Sequence, residues 1–148
     1  MSAYRRILVA VDGSAASNKG LREALRLAKA EGAKLFILHV VNDYLAFAAM
    51  DGVAPPTDLA AVLREGGERI LAKAAALASK QKTKPELVLR EILSGPAADP
   101  IVREAKKQRA DLIVLGTHGR RGVRRLVLGS DAEQVVRSAS VPVLLVRA

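Results

Sequence analysis

The residues best suited to chemistry follow the most apolar segment of the chain. They read Gly116-Thr117-His118-Gly119-Arg120-Arg121-Gly122-Val123-Arg124-Arg125-Leu126-Val127-Leu128-Gly129-Ser130. Glycines let a backbone come close to a bulky anion. Gly129-Ser130 opens a helical pattern, and the free N–H groups and dipole of a helix start favour phosphate. Ser130 adds a hydroxyl donor, and successive loop N–H groups can form an anion nest. A second turn, Asp12-Gly13-Ser14, sets a carboxylate beside a glycine after the first apolar run. Neither turn is a standard nucleotide loop. The long one lacks the Gly-Lys-Ser/Thr ending of a Walker A segment, and no Gly-x-Gly-x-x-Gly follows the first strand. As a general base His118 needs a partner at hydrogen-bond range, and the sequence identifies none. His39, at the end of a buried strand, reads as a satisfied core residue. Asp12 reads as a ligand contact rather than a simple turn cap. Arg120, Arg121, Arg124 and Arg125 read first as a solvated face, then as positive potential for phosphates, and last as a nucleic-acid contact.

The elements that must position these turns follow from apolar patterning. Ile7-Leu8-Val9-Ala10-Val11 is a short β-branched run, as expected of a buried parallel strand. Ser14 or Ser17 then caps a helix with Leu21, Ala24, Leu25 and Ala28 on one face, closed by Glu31-Gly32. Strands are expected at 35–41, 87–93, 112–115 and 142–146, the third strand near a sheet edge. Helices are expected at about 59–79, from Asp99 as N-cap with Pro100 at the first helical position to about Gln108, and from Ser130 to about Arg137. The connection from Asn42 to about Asp58, with Tyr44, Phe47 and Met50, is long enough to be functional and reads as cover for the core or a dimer. Strict β-α alternation predicts an α/β fold: a Rossmann-like open five-stranded, mainly parallel sheet with helices on both faces; right-handed crossovers leave few strand orders, of which 3-2-1-4-5 is the expected one. Ligands of such sheets bind beyond the carboxyl ends of the strands, where the strand order reverses. The turns at Asp12 and Gly116 would face each other there.

Composition narrows the function classes. The 148 residues predict one domain, 1–148, with enough buried surface to need no staple. Hydrophobic residues make up 50% and aromatics 3%, so the core must be aliphatic. The absence of cysteine excludes a disulfide scaffold, a thiolate zinc site and a cysteine nucleophile. Without a signal-like N-terminus or a run near the ~20 residues of a membrane span, the cytoplasm is the expected location and no membrane partner is expected. The net charge of +9 favours anionic partners. It forms no clear face in sequence and lacks stacking aromatics, which ranks nucleic acid below a nucleotide.

Four segments together resemble the universal stress protein family, in its single-domain ATP-binding type, from Arg6 to Arg147. They are 7–14, Leu38-His39-Val40, 110–119 and 141–147. The family signature of Gly, two residues, Gly, nine residues, Gly, then Ser or Thr is met by Gly116, Gly119, Gly129 and Ser130. The resemblance implies an adenine-nucleotide-binding stress or signalling module taking ATP, or ADP or AMP, with Mg²⁺. It implies that Asp12 lies at the ribose and that the backbone around Val40 meets the adenine edge. Val9 and Val11 would form apolar wall, Gly116 would pass the ribose, and Gly119, Gly129 and Ser130 would hold phosphates. It implies a homodimer through the last strand, Val143 to Val146. It leaves at most weak ATP hydrolysis or autophosphorylation, with no catalytic residue assigned. Two positions depart from the family. Asp131 stands where an uncharged residue is usual: beside Arg120 it would either coordinate Mg²⁺ or repel phosphate in favour of shorter nucleotides. Gly95-Pro96-Ala97 shifts the proline of the usual Gly-x-Pro.

Overall fold

The computed structural model describes residues 2–43, 58–117 and 128–147. Among them run β1 (Arg6–Ala10), α1 (Ala15–Glu31), β2 (Lys34–Asn42), α2 (Leu59–Lys80), β3 (Glu86–Ile92), α3 (Ala98–Lys107), β4 (Leu112–Gly116), α4 (Ser130–Ser138) and β5 (Val143–Val146). The five strands form one sheet, ordered β3-β2-β1-β4-β5, and every pairing is parallel.

Strand alternation sorts the core into two layers. Ile7, Val9, Leu35, Ile37 and Val114 point to one face, against Leu21 and Leu25 of α1 and Leu71 of α2. Leu8, Phe36, Leu38, Ile113 and Leu115 point to the other, against Ile101 of α3 and Val135 of α4. Central strands buried on both faces must be apolar throughout, and that is why β1, β2 and β4 read as continuous runs. β3 is mixed because it is an edge strand, as the sequence predicts. Its Arg90 bonds Glu104 of α3 in two places, at 2.9 and 3.1 Å, and Glu104 is buried.

The ends of the elements follow from local chemistry. Ser14 caps α1 by accepting from the Ser17 N–H at 3.2 Å. α1, α2 and α3 end in the same hydrogen-bond pattern. In each, an N–H reaches back five residues at 2.9 Å: Ala33 to Ala28, Thr83 to Ala78, Ala110 to Ala105. That closure needs a left-handed residue just before the donor. Gly32 fills it in α1 (φ 64°), but Lys82 (φ 56°) and Arg109 (φ 53°) fill it in α2 and α3.

α3 departs from the expected start. Asp99 is not its N-cap: the helix begins at Ala98, Ala97 occupies the cap, and no side chain caps it. Gly95 (φ 91°) and Pro96 turn the chain early, and the Asp99 N–H already reaches the Pro96 carbonyl at 3.3 Å. Pro100 then lies inside the first turn, where its missing N–H costs nothing. No helix among the described residues is long and apolar enough to cross a membrane.

Candidate functional site

The strand order reverses between β1 and β4, and the two turns singled out from sequence meet there. Asp12 Oδ1 accepts from the Ser14 N–H at 2.9 Å, folding Asp12-Gly13-Ser14 (Gly13 φ 83°) into a tight turn. Ser17 Oγ accepts from the Asp12 N–H at 3.2 Å, which ties that turn to the first helical turn. Gly116, at the end of β4, lies directly on this helix start. A Cβ on Gly116 would come 2.6 Å from the Ala16 carbonyl carbon and 2.8 Å from the Ser17 nitrogen. Gly20, one turn further along α1, faces Gly116 with somewhat more room, its own would-be Cβ 3.3 Å from the Gly116 nitrogen. Gly116 is therefore required by packing, whatever else passes over it.

The far wall is the start of α4. The Gly129 N–H bonds the Thr117 carbonyl at 2.8 Å, and the Thr117 N–H bonds the Val146 carbonyl at 3.0 Å. These bonds bring Gly129 and Ser130 back to the end of β4. The first backward bond of α4 runs from the Glu133 N–H to the Gly129 carbonyl at 2.9 Å, so the N–H groups of Ser130, Asp131 and Ala132 precede the ladder. Among the described residues no side chain caps this helix. Ser130 and Asp131 are exposed there, and Glu133 is held by Arg137 at 2.7 Å. Thr117 Oγ1 is buried and has no hydrogen-bond partner. A hydroxyl so placed costs free energy unless something polar joins it. Bare N–H groups and an unpaired hydroxyl are the donor set an oxyanion group fits.

The β2 side is set by a histidine. His39 is buried, and its Nδ1 lies 2.7 Å from the Val11 carbonyl. A carbonyl only accepts, so His39 is the Nδ1–H tautomer and donates. It is a structural strut, as its position suggests. The Val11 N–H makes the last β1–β2 bond, to Leu38 at 2.8 Å. Peptide groups alternate sides along a strand, so those of Val40 turn to the β1 side one step beyond that bond. Val9 and Val11 are buried in the α1 layer, beneath this edge. Gly119 and Arg120 lie outside the described residues, as do His118, Arg121, Arg124 and Arg125, and Tyr44, Phe47 and Met50 of the long connection.

One cluster gave no sign in sequence. Asp43, just past β2, is 2% exposed. Burial, and then its hydrogen bond to Glu91 of β3, push its carboxyl above the usual range. Two carboxyls in contact cannot both ionise freely. Arg64 of α2, 2.9 Å from Glu91, holds Glu91 below the ordinary glutamate value. Asp43 Oδ1 has no hydrogen-bond partner. Beneath this cluster α2 crosses the sheet closely at Gly67, where a Cβ would lie 2.9 Å from His39 Cδ2 and Val41 Cγ2. Only the pairing of Val41 with Glu91 brings these residues together, and pairing is not visible in one sequence. Among the described residues no group of three or more histidines or carboxylates is placed to hold a metal ion.

The comparisons with known proteins agree with this geometry. The sequence profile of the Universal stress protein family matches residues 3–147. A universal stress protein of Methanocaldococcus jannaschii is 35% identical over 97% of this chain and 82% of its own length. The crystal structure of a universal stress protein family member from Burkholderia pseudomallei superimposes with a TM-score of 0.78 at 33% identity, covering 100% of this chain and 99% of that one. The universal stress protein of Archaeoglobus fulgidus in complex with dAMP superimposes with a TM-score of 0.67 at 26% identity, covering 97% and 98%. The five-stranded parallel fold is thus shared with these proteins, and the chain belongs to the universal stress protein family.

Proposed function

We propose that the crevice between the Asp12 turn, Gly116 and the start of α4 binds an adenine nucleotide, with ATP and Mg²⁺ as its full ligand and ADP or AMP as shorter alternatives. The observation that carries this reading is the bare start of α4 beside the unpaired Thr117 hydroxyl. It is a donor set without an internal acceptor, at the switch point where α/β sheets take ligands. The relative from Archaeoglobus fulgidus, in complex with dAMP, supports the same ligand class. In this reading phosphates take the Ser130 N–H and hydroxyl and pass close over Gly129, with Gly119 and Arg120 completing the loop. The ribose lies at Asp12 and Gly116. Adenine lies against the peptide edge of Val40, above Val9 and Val11. Asp131 is the residue that sets how many phosphates are tolerated: it needs Mg²⁺ to accept a triphosphate. No catalytic residue is assigned. The protein acts in the cytoplasm as a nucleotide-dependent stress or signalling module. It pairs with a second copy through Val143–Val146, the outer strand of the sheet, whose apolar side chains are only half-buried.

The test is to purify the protein without added nucleotide, denature it and identify what is released, then to titrate the emptied protein. Micromolar or tighter binding of ATP with Mg²⁺ is expected. Ser130→Ala should weaken ATP about tenfold, the worth of one hydrogen bond to a charged group, and leave adenosine unchanged. Equal losses for ATP and adenosine would remove Ser130 from the phosphate site. Failure to bind millimolar ATP would make the glycines purely structural.

A further inference from the structure

The charge that forms no face in sequence forms one in the fold. In an all-parallel sheet the strand starts and the C-terminal ends of the crossover helices share one pole, opposite the nucleotide crevice. Backbone bonds join its parts: the Lys34 N–H to the Arg5 carbonyl at 2.9 Å and the Asp111 N–H to the Arg6 carbonyl at 2.8 Å. Arg5, Lys34, Lys82, Lys84, Lys107 and Arg109 are all exposed there. The acids of the pole are fewer than its cations, and each is hydrogen-bonded or paired. Glu31 accepts from the N–H groups of Ala3 and Tyr4, and Asp111 from those of Arg5 and Arg6 at 2.8 and 3.0 Å. Glu86 pairs with Lys34 at 3.0 Å.

Helix dipoles account for part of this. Lysines in the last turns of α1, α2 and α3 offset the negative helix ends. They do not account for Lys82 and Arg109, which stand past the last turn in the left-handed conformation where α1 uses glycine. A side chain there is strained, and such strain persists where something else needs the residue. Both positions carry a cation. Beside Arg109 a cavity of about 230 Å³ opens between α3 and the turn before β5, with Lys106, Arg109 and Ser140 on its polar side. The rest of its lining, Val102, Ala105, Ile113 and Val141 among it, is apolar, so the hollow contributes cations and a hydroxyl at its rim rather than a pocket for a phosphate.

We propose that this basic pole binds the phosphate backbone of duplex nucleic acid, without reading base sequence. Unpaired bases would need aromatic platforms. Phe36, however, is fully buried beneath Arg6 and Lys34, and Tyr4 packs against the core. A lipid surface would call for apolar anchors, and among the described residues the exposed large apolar ones, Val62, Leu87, Leu93 and Val136, are scattered from α2 to α4. A rigid rod of phosphates is the anionic partner left for the exposed cations Arg5, Lys82, Lys84, Lys107 and Arg109.

The test compares the wild-type protein with the Lys82→Gly/Arg109→Gly double variant. Glycine relieves strain at both positions, so the variant should melt at the same or a higher temperature. Binding of a labelled mixed-sequence DNA duplex is followed by anisotropy across a salt series. Wild type should bind at low salt and weaken steeply as salt rises. The variant should bind about tenfold less tightly, with a log–log salt slope shallower by about 2, one step per lost phosphate contact. ATP binding by the variant should be unchanged, because the crevice lies at the other pole; loss of either activity is therefore read separately. No duplex binding at low salt overturns the proposal, as does an unaltered slope in the variant. Tighter binding of the single strand, or equal displacement of the duplex by polyglutamate, overturns it too.

Discussion

Two helix starts sit side by side at the carboxyl edge of the sheet, and they are finished in opposite ways. α1 has Ser14 folded back on the Ser17 N–H, and Asp12 on the Ser14 N–H. α4 has glycine at its cap and no side chain on its first N–H groups. Ordinary stability favours the first solution, because a good N-cap is worth about 1 kcal/mol. The second leaves donors unspent and adds Asp131 and Glu133, whose charges suit the dipole. One start is closed by its own sequence and serves as a foundation, while the other is left open toward the crevice. The same contrast recurs between the poles. The start of α4 at the upper edge offers backbone N–H groups, and helix ends at the lower edge are sealed by backbone bonds and covered with long cations.

The strongest way to break the contrast is to strike the foundation. Gly116→Ala would push a methyl group into the backbone of Ala16 and Ser17. Backbone cannot step aside as a side chain can, so the cost should be about 3 kcal/mol, read by urea unfolding. A loss below about 0.5 kcal/mol would show the α1–β4 contact to be looser than described. Gly67→Ala makes a milder version of the same test. Its methyl meets only the side chains of His39, Val41 and Leu89, which can shift, and about 1 to 2 kcal/mol is expected. Closing the open start sharpens the comparison: Gly129→Ser should cap α4 and stabilise it by a few tenths of a kcal/mol to about 1 kcal/mol, while competing with any anion bound there. At the other pole, Lys82→Gly and Arg109→Gly should each stabilise the fold by about 0.5 to 1 kcal/mol, because glycine enters the left-handed region without a Cβ clash. Destabilisation by either would mean that the side chain holds the helix end itself.

The smallest expected effect comes from the carboxyl pair. Asp43 has its affinity for a proton raised in the folded state by burial and by Glu91. A raised group contributes stability that is whole below its unfolded pKa and is lost as pH climbs through the folded value. Glu91, lowered chiefly by Arg64, works the other way, losing its contribution as pH falls through its folded value. Asp43→Asn keeps a donor toward Glu91 and carries no charge. It should therefore be more stable than wild type at neutral pH, with the difference shrinking in acid. Denaturant curves at pH 4 and pH 8 check this, and a difference that grows in acid would contradict the assignment.

How much could be read beforehand differs by element for physical reasons. β1, β2 and β4 were plain because a strand covered on both faces has no place for polar residues. Alternation and right-handed crossovers left few strand orders, 3-2-1-4-5 among them. The start of α3 was misplaced by two residues' worth of capping logic: Asp99-Pro100 has the composition of a cap and first turn, but Gly95 and Pro96 had already turned the chain. Gly116 was picked for a ligand, and the structure adds a packing reason that spacing cannot reveal. Asp43, Glu91 and Arg64 lie on three elements and meet only through strand register. The basic pole stayed hidden for the same reason, since its cations come from four separate stretches of chain and gather only once the strands are parallel.

The strut from His39 to Val11 also makes the molecule self-reporting. One imidazole spans the seam between the first two strands at the point where the first leaves the sheet. Its ring-nitrogen resonances depend on the proton that it shares with that carbonyl. With two histidines in the chain, a nitrogen-15 spectrum of labelled protein carries few ring signals. Tracked through a titration, the His39 signal becomes an internal gauge of whether occupancy pulls the strand seam open or leaves it still.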